Sequence, residues 1–320
     1  MVKNMQRAAA SSIPVAKKSY LSVLRRDLWR DRYLYLLLAF GIVYILIFRY
    51  VPMYGLQIAF QNYNMFNPAA TYWVGLQHFE TLFSTPAFPN VLWNTLNISI
   101  LKLLFGFPAP IILALLLNEF RHLAFKKTCQ TLLYLPYFIS WVIMTGIIQM
   151  FLHPTHGIVT EFLRWATGTN IHVLTNTTYF VPMLIITELY KNMGWGTIIF
   201  FAAISGVDDQ LYEAAVVDGA GKFKQAIHIT LPSIRPVIVI VFILSLGNIM
   251  NAGFDQIFML YNPMVYSVAD IIDTYVFRRG IIQADYSFAA AAGFFRSVVA
   301  LILIVFANYA VRLFGEDGIW

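Results

Sequence analysis

Six long apolar runs constrain this 320-residue sequence more than any other feature. A helix needs roughly 20 apolar residues to cross a bilayer core about 30 Å thick. The runs that approach or exceed this length lie at 34–51, 92–118, 131–151, 181–204, 236–261 and 294–314. Only 12% of the residues are charged, against about 25% in soluble domains. The sequence therefore predicts an all-α integral membrane protein with six transmembrane helices, and it excludes a soluble enzyme or a nucleic-acid-binding domain.

The basic residues predict the orientation of these spans. Of the 22 lysines and arginines, most lie before the first run, at 119–130, at 205–235 or after the last run. Basic loops stay on the cytoplasmic side, so both termini are expected in the cytoplasm. The predicted organisation is a cytoplasmic segment at 1–33, a first transmembrane helix at 34–51, an external loop at 52–91, a five-helix core at 92–314 and a cytoplasmic tail at 315–320.

The cytoplasmic connection at 205–235 has a helical pattern of its own. Asp208 or Asp209 can cap the start of a helix, because a carboxylate there accepts hydrogen bonds from free backbone amides. Gly219 and Gly221 can end the helix, since glycine adopts left-handed backbone angles without steric cost. A second short amphipathic stretch follows. The loop is therefore predicted to form a helix–turn–helix on the cytoplasmic face.

The same loop resembles the EAA loop in the permease subunits of binding-protein-dependent bacterial ABC importers. Glu213-Ala214-Ala215 is followed after three residues by Gly219 and, nine residues later, by Ile229-x-Leu231-Pro232. Further segments resemble the branch that imports polysaccharides and complex oligosaccharides, including alginate and pectin fragments. They are YVPMYGLQIAFQNYN (50–64), WVGLQHFETLF (73–83), LLLNEFRH (115–122), LYLPYFISWV (133–142), GWGTIIF (194–200) and GFDQIFMLYNP (253–263).

The resemblance implies a type I ABC importer permease fold whose cytoplasmic coupling helix docks in a cleft of an ATPase. The positions that it assigns to this coupling are Glu213, Ala214, Ala215, Asp218, Gly219, Ile229, Leu231 and Pro232. The last three are expected to hold the loop against its own spans. It also implies a bacterial cell (inner) membrane location and several partners. These are a second homologous permease, two cytoplasmic ATPase subunits that bind ATP and magnesium, and an extracytoplasmic sugar-binding protein that docks on the outer loops.

No catalytic, cofactor or metal site is predicted in this chain itself. The only glycine–lysine pair, Gly221-Lys222, is followed by Phe223 where a phosphate-binding loop needs Ser or Thr. His153 and His156 are three residues apart, but no Cys or Asp lies near them to complete a metal site. ATP hydrolysis is accordingly expected in a separate chain.

Polar residues inside the predicted spans are candidates for the substrate path, because ionisable groups are costly in a bilayer. The candidates are Glu188, Lys191, Asn192, Trp195, Asn248, Asn251 and Gln256. Glu188 and Lys191 share a helix face and can equally form an internal ion pair. Asn248 and Asn251 can equally hydrogen-bond between helices. An anionic substrate is favoured by five cations, namely Lys102, Lys191, Arg278, Arg279 and Arg296.

The function predicted is that of the transmembrane subunit of an ATP-driven importer. It would move oligosaccharides, neutral or uronate-containing, from a binding protein into the cytoplasm. The alternative is an ion-coupled secondary sugar transporter that acts without an ATPase. Such transporters are built from inverted repeats with interrupted spans, and no internal repeat is visible in the sequence.

Overall fold

A computed structural model describes residues 29–120 and 122–313 of the chain. The predicted tail at 315–320 and most of the predicted N-terminal segment at 1–33 lie outside these residues. In chain order the helices are α1 (Arg32–Ile45), α2 (Gln77–Ser84), α3 (Phe88–Gly106), α4 (Pro108–Asn118), α5 (Leu123–Tyr134), α6 (Trp141–Phe151), α7 (Ile158–Thr167), α8 (Thr177–Ile204), α9 (Asp209–Val217), α10 (Lys222–Gln225), α11 (Leu231–Ser233), α12 (Arg235–Gly247), α13 (Phe254–Leu260), α14 (Tyr266–Ala269), α15 (Ile272–Phe277) and α16 (Tyr286–Leu313).

Short segments of other geometry join these helices. Two strands, β1 (Gln61–Asn62) and β2 (Tyr72–Trp73), pair antiparallel with Gln61 opposite Trp73. The 3-10 segments are Val51–Phe60, Pro68–Ala70, Leu135–Phe138 and Pro263–Val265, and the π-helical turns are Leu46–Tyr50, Ala226–Thr230 and Arg278–Ile282.

The chain divides into two compact units, Met1–Leu56 and Gln57–Trp320. In the described part of the first unit, α1 is apolar on every side and buries none of its residues. Leu37 and Phe40, for example, are 74% and 80% exposed. A helix that is apolar all round requires an apolar surrounding, which suits a membrane-spanning segment.

Within the described part of the chain, three helical runs are long and apolar enough to cross a membrane, namely Arg32–Phe60, Phe88–Asn118 and Tyr286–Tyr309. They cover most of the predicted spans at 34–51, 92–118 and 294–314. Two bent helix pairs raise the number to at most five if each pair is one span. The remaining predicted span, 181–204, lies within α8, which is 28 residues long but does not reach the same apolarity.

The predicted span at 131–151 corresponds to two helical segments joined at a sharp bend. The helical run Leu123–Phe138 ends there, and α6 begins at Trp141 after a bend of 100°. Pro136 lies in the 3-10 turn before the bend, where a proline weakens helical continuation. Ser140 is extended and caps the new helix, its hydroxyl accepting a hydrogen bond from the Ile143 amide at 3.4 Å.

The predicted span at 236–261 is also interrupted. α12 ends at Gly247, and a non-helical segment leads to α13, which starts at Phe254. Gly253 before α13 has φ +91°, a left-handed angle that favours glycine. The bend predicted from Pro108 and Pro110 in the second span corresponds to a milder interruption at Phe107, and 88–118 still counts as one run.

Three buried apolar clusters hold the second unit together. The largest joins α3, α6, α8 and α13 through residues such as Ile98, Leu184 and Ile257. A second cluster packs α2 and α3 against α15 and α16. The third joins α4, α8 and the start of α12 through Ile111, Phe200, Ile234 and their neighbours. α8 thus takes part in two of the three clusters.

Gly194 permits the closest backbone contact of α8. A Cβ atom at this position would lie 1.9 Å from the Leu133 carbonyl oxygen in α5. We expect Gly194→Ala to destabilise the protein by about 3 kcal/mol, the upper end of the usual cost of overpacking. Gly146→Ala is the matched control, because no atom lies within 4 Å of that Cβ position. Thermal unfolding of both variants in detergent measures the difference, and equal melting temperatures would contradict this packing.

Candidate functional site

The loop between α8 and α12 contains a well-capped helix, α9. The Asp208 carboxylate accepts a hydrogen bond from the Gln210 amide at 2.9 Å, which confirms the predicted cap at one of the two aspartates. An acidic residue at this position satisfies an otherwise free amide and interacts favourably with the helix dipole. The loop therefore begins as a fixed helix.

Gly219 ends α9 in a tight left-handed turn. Its φ is +74°, its amide donates to the Val216 carbonyl at 3.0 Å, and the Ala220 amide donates to the Ala215 carbonyl at 2.8 Å. These paired bonds are those of a Schellman motif, which satisfies the last carbonyls of a helix. Gly221 has an ordinary φ of −68° and caps the start of α10, so only the first of the two predicted glycines ends the helix.

Side-chain hydrogen bonds fasten the second half of the loop to the first. The Tyr212 and Thr230 hydroxyls lie 2.9 Å apart. The buried Gln225 side chain donates to the Ala220 carbonyl at 2.8 Å. Lys222 reaches Glu119, in the preceding connection, at 3.5 Å. The loop is thus internally braced, and a force on one part of it would move the whole loop.

The residues predicted for ATPase coupling fall into two groups. Glu213, Ala214, Asp218, Gly219 and Pro232 are exposed, whereas Ala215, Ile229 and Leu231 are half-buried. Leu231 packs on the third apolar cluster. The exposed group is accompanied by two large apolar side chains, Val217 at 87% and Phe223 at 78% exposure. The outer side of the loop therefore combines apolar and acidic groups that a partner protein can cover.

A second candidate region is a cavity of about 400 Å³ between α3, α8 and the end of α12. Its polar lining residues are Ser99, Lys102, Glu188, Asn192, Ser245, Asn248 and Asn251. Ser99 is buried, and its hydroxyl has no hydrogen-bond partner among the described residues. Such an orphan group is costly when it stays dry.

Glu188 forms its ion pair with Lys102 of α3, 86 positions away, rather than with Lys191. The Lys102 ammonium lies 3.2 Å from the Glu188 carboxylate and donates to the Gln256 side-chain oxygen at 2.6 Å. The other carboxylate oxygen accepts from Asn192 at 2.6 Å. Three helices, α3, α8 and α13, therefore meet in one polar network beside the cavity.

Lys191 lies away from the cavity. Its ammonium donates to the Tyr137 carbonyl at 2.7 Å and the Pro136 carbonyl at 3.5 Å. Both carbonyls lie where the helical run ends before α6, and that of Pro136 also accepts from the Ile139 amide at 3.2 Å. A cation is favourable at the carboxyl end of a helix. Trp195 stacks on the Tyr137 ring at 4.5 Å. Both residues, predicted as path candidates, therefore support the bent helix pair.

The remaining path candidates differ in position. Asn248 and Asn251 line the cavity, but they follow the end of α12 at Gly247 instead of sharing a continuous helix. Gln256 is fully buried and donates to the Leu184 carbonyl at 2.9 Å. Gln256 does not line the cavity itself but accepts a hydrogen bond from Lys102, which does.

The other three of these cations, Arg278, Arg279 and Arg296, are paired with carboxylates. Arg278 lies 2.5 Å from Asp270, and the hydrogen bond between them raises the pKa of the Arg278 guanidinium above its ordinary value. Arg279 lies 3.4 Å from Asp285, and Arg296 forms an ion pair with Asp273. Of the five cations taken as favouring an anionic substrate, only Lys191 has no carboxylate within ion-pair distance among the described residues.

Comparison with known proteins identifies the family. The sequence matches the family described as "Binding-protein-dependent transport system inner membrane component" over residues 106–316. The chain belongs to this family. The family consists of transport permeases, not enzymes, and the matched range includes α9, its glycine turn and most of the cavity lining.

Relatives extend the similarity to nearly the whole chain. The polygalacturonan/rhamnogalacturonan transport system permease protein YteP of Bacillus subtilis (strain 168) is 44% identical over 98% of each chain. Protein LplB of the same organism is 44% identical over 94% of each chain. The crystal structure of a bacterial ABC transporter that imports the acidic polysaccharide alginate has a chain with a TM-score of 0.83 and 42% identity, covering 90% of this chain and 98% of that chain.

The placement of Lys191 leads to a stability prediction for this permease. We expect Lys191→Met to lower the free energy of unfolding by about 2 kcal/mol, because hydrogen bonds from a buried charged donor typically contribute that much. Lys127→Met is the matched control, since Lys127 is exposed in α5. Thermal unfolding in detergent measures both. A Lys191→Met variant as stable as the control would show that the carbonyls at the bend do not need this cation.

Proposed function

We propose that this permease is the transmembrane subunit of an ATP-driven importer that carries oligosaccharides into the cytoplasm of a bacterium. The observation that carries the proposal is the loop helix α9. It holds Glu213 and Ala214 exposed, and it ends in the left-handed turn at Gly219. A capped, braced helix with an open outer side is suited to docking on another protein, and an ATPase is the partner that an importer requires.

The proposed assembly contains this chain, a second homologous permease, two cytoplasmic ATPase subunits and an extracytoplasmic binding protein. ATP and magnesium bind to the ATPase subunits. Their closure moves α9 together with the rest of the braced loop. A solved structure supports the binding-protein partner: a similar alginate transporter chain, 41% identical with a TM-score of 0.84, comes from a complex with an alginate pentasaccharide-bound periplasmic protein.

We further propose six membrane crossings, with both termini in the cytoplasm. The bent pair of Leu123–Phe138 and Trp141–Phe151 forms one crossing, the interrupted stretch from α12 to α13 forms another, and α8 is the sixth. The polar groups that lower the apolarity of α8 are paired within the protein, Glu188 with Lys102 and Lys191 with backbone carbonyls. Ionisable residues in a bilayer are tolerated when they face the protein interior in this way.

The cavity between α3, α8 and α12 is proposed as part of the sugar path. Of the path candidates, Glu188, Asn192, Asn248 and Asn251 line it, and amide and carboxylate groups suit sugar hydroxyls. We assign Gln256, Lys191 and Trp195 to supporting the path instead. The substrate class follows from the relatives, whose named substrates, alginate and polygalacturonan, are uronate polymers. Uronate oligosaccharides are therefore the proposed cargo.

Gly219 offers a direct test of coupling. We expect Gly219→Asp to abolish ATP-driven uptake while membrane insertion stays intact, because the substitution adds a charged side chain to a left-handed turn on the docking side. Glu213→Lys is expected to act likewise by reversing the exposed charge. Uptake of labelled oligosaccharide is measured at equal membrane levels of each variant.

Gly221→Asp is the matched control for Gly219→Asp. It adds the same charge two positions away, where φ is an ordinary −68°, and it should retain most of the transport. Purification in mild detergent with mass spectrometry of bound proteins supplies the second readout. Wild-type-like uptake by Gly219→Asp, or recovery of an active chain without an ATPase, would overturn the coupling assignment.

The energy source and the cargo are tested together. Cells with the complete system are expected to take up oligogalacturonate. This uptake should stop when ATP is depleted while the ion gradient across the membrane is maintained. A secondary transporter would continue under that condition. If the cells used only neutral oligosaccharides, ATP dependence would stand but the uronate cargo would be abandoned.

A further inference from the structure

The charged groups in the cavity wall are a single matched pair. Among the residues that line the cavity, Lys102 and Glu188 alone are charged. The Glu188 side chain is 27% exposed, and that of Lys102 is 11% exposed. A sugar in the cavity would therefore meet the carboxylate more directly than the ammonium.

Neighbouring side chains fix the Lys102 ammonium beside Glu188. Gln256 accepts from it at 2.6 Å, and Gln256 is itself held by the Leu184 carbonyl at 2.9 Å and the Thr187 hydroxyl at 2.8 Å. Gly253 allows this approach, because a Cβ atom there would lie 2.6 Å from the ammonium nitrogen.

Glu188 is fixed from the other side. Asn192, one turn further along α8, donates to its second carboxylate oxygen at 2.6 Å. With Lys102 on one oxygen and Asn192 on the other, the carboxylate has a defined orientation. Each member of the pair is therefore held by its partner and by one further hydrogen bond.

The next cavity along the chain is arranged in the same manner. It has a volume of about 460 Å³, shares Asn251 with the first cavity, and has Asp273 and Arg296 as its charged lining residues. These two form an ion pair. Both cavities thus carry one cation and one carboxylate in contact, and neither has an uncompensated charge among its lining residues.

We propose that the Lys102–Glu188 pair determines the charge selectivity of the sugar path. Glu188 alone would repel a uronate carboxylate, because like charges a few ångströms apart repel each other more strongly in a protein than in bulk water. Lys102 cancels that repulsion, so the path accepts carboxylated sugars without trapping them. Lys102 is a specificity-determining residue that acts by neutralising Glu188. This inference rests on the proposed function, in which the cavity is part of the path.

The test uses two substrates that share one backbone, an oligogalacturonate and its fully methyl-esterified form. The quantity measured is the uptake ratio of acid to ester, divided by the wild-type ratio so that selection by the binding protein cancels. We expect Lys102→Gln to lower the ratio about tenfold and Glu188→Gln to raise it, because each variant leaves one charge uncompensated. The double variant is expected to return the ratio to the wild-type value.

The double variant distinguishes charge selection from a purely structural role. If the pair only held helices together, all three variants would lose acid and ester uptake equally and the ratio would not move. That result would overturn the proposal. Lys127→Gln, which removes the same charge from an exposed site in α5, should leave the ratio unchanged.

Two further outcomes are informative. If Lys102→Gln does not reach the membrane, the other two variants still decide. A ratio of acid to ester uptake that rises in Glu188→Gln and returns to the wild-type value in the double variant supports the proposal. An unchanged ratio in both variants overturns it. If the wild-type system takes up neither substrate, the proposed function itself fails and this inference fails with it.

Discussion

The structure depends on one constraint, which is that a polar group inside a bilayer has to find its partner within the protein. No water is present there to satisfy a free carbonyl or a charged side chain. Where helices in the core of this chain are interrupted, polar side chains form hydrogen bonds with backbone carbonyls. Lys191 donates to the carbonyls of Pro136 and Tyr137 before the 100° bend. The Gln256 side chain, in the short helix after the break at Gly253, donates a hydrogen bond to the Leu184 carbonyl in α8.

α8 organises the core because it combines these polar partners with close packing. Gly194 brings its backbone against Leu133 of α5, and Gly196 lies against the Pro110 ring of α4. Glu188 joins it to α3. The same residues explain why α8 is less apolar than the other spans although it is long enough to cross a membrane. Its low hydropathy reflects groups used for assembly, not exposure to water.

Much of the fold and the loop could be predicted from the sequence, whereas the partners of the polar groups could not. The runs at 34–51, 92–118 and 294–314 follow from apolarity alone, and the cap at Asp208 and the turn at Gly219 follow from local backbone chemistry. The pair between Lys102 and Glu188 joins residues 86 positions apart, which no local spacing reveals. The 100° bend before α6 cannot be read from local spacing for a related reason, since Lys191 and the carbonyls that it contacts there are 54 and 55 positions apart.

The proposed coupling loop and the proposed sugar path share one rigid element. α8 carries Glu188 in the cavity wall and ends at Ile204, which packs with Ile234 at the start of α12 beside the loop. Sixteen residues of helix separate Glu188 from Ile204, or about 24 Å at 1.5 Å per residue. A displacement of the braced loop therefore has to move α8, α12 or both, and each of them contributes residues to the cavity. Glu188, one member of the charged pair that we propose selects the cargo, lies on α8, and its partner Lys102 lies on α3. A movement of α8 or α12 would therefore change the walls of the cavity in which that selection is proposed.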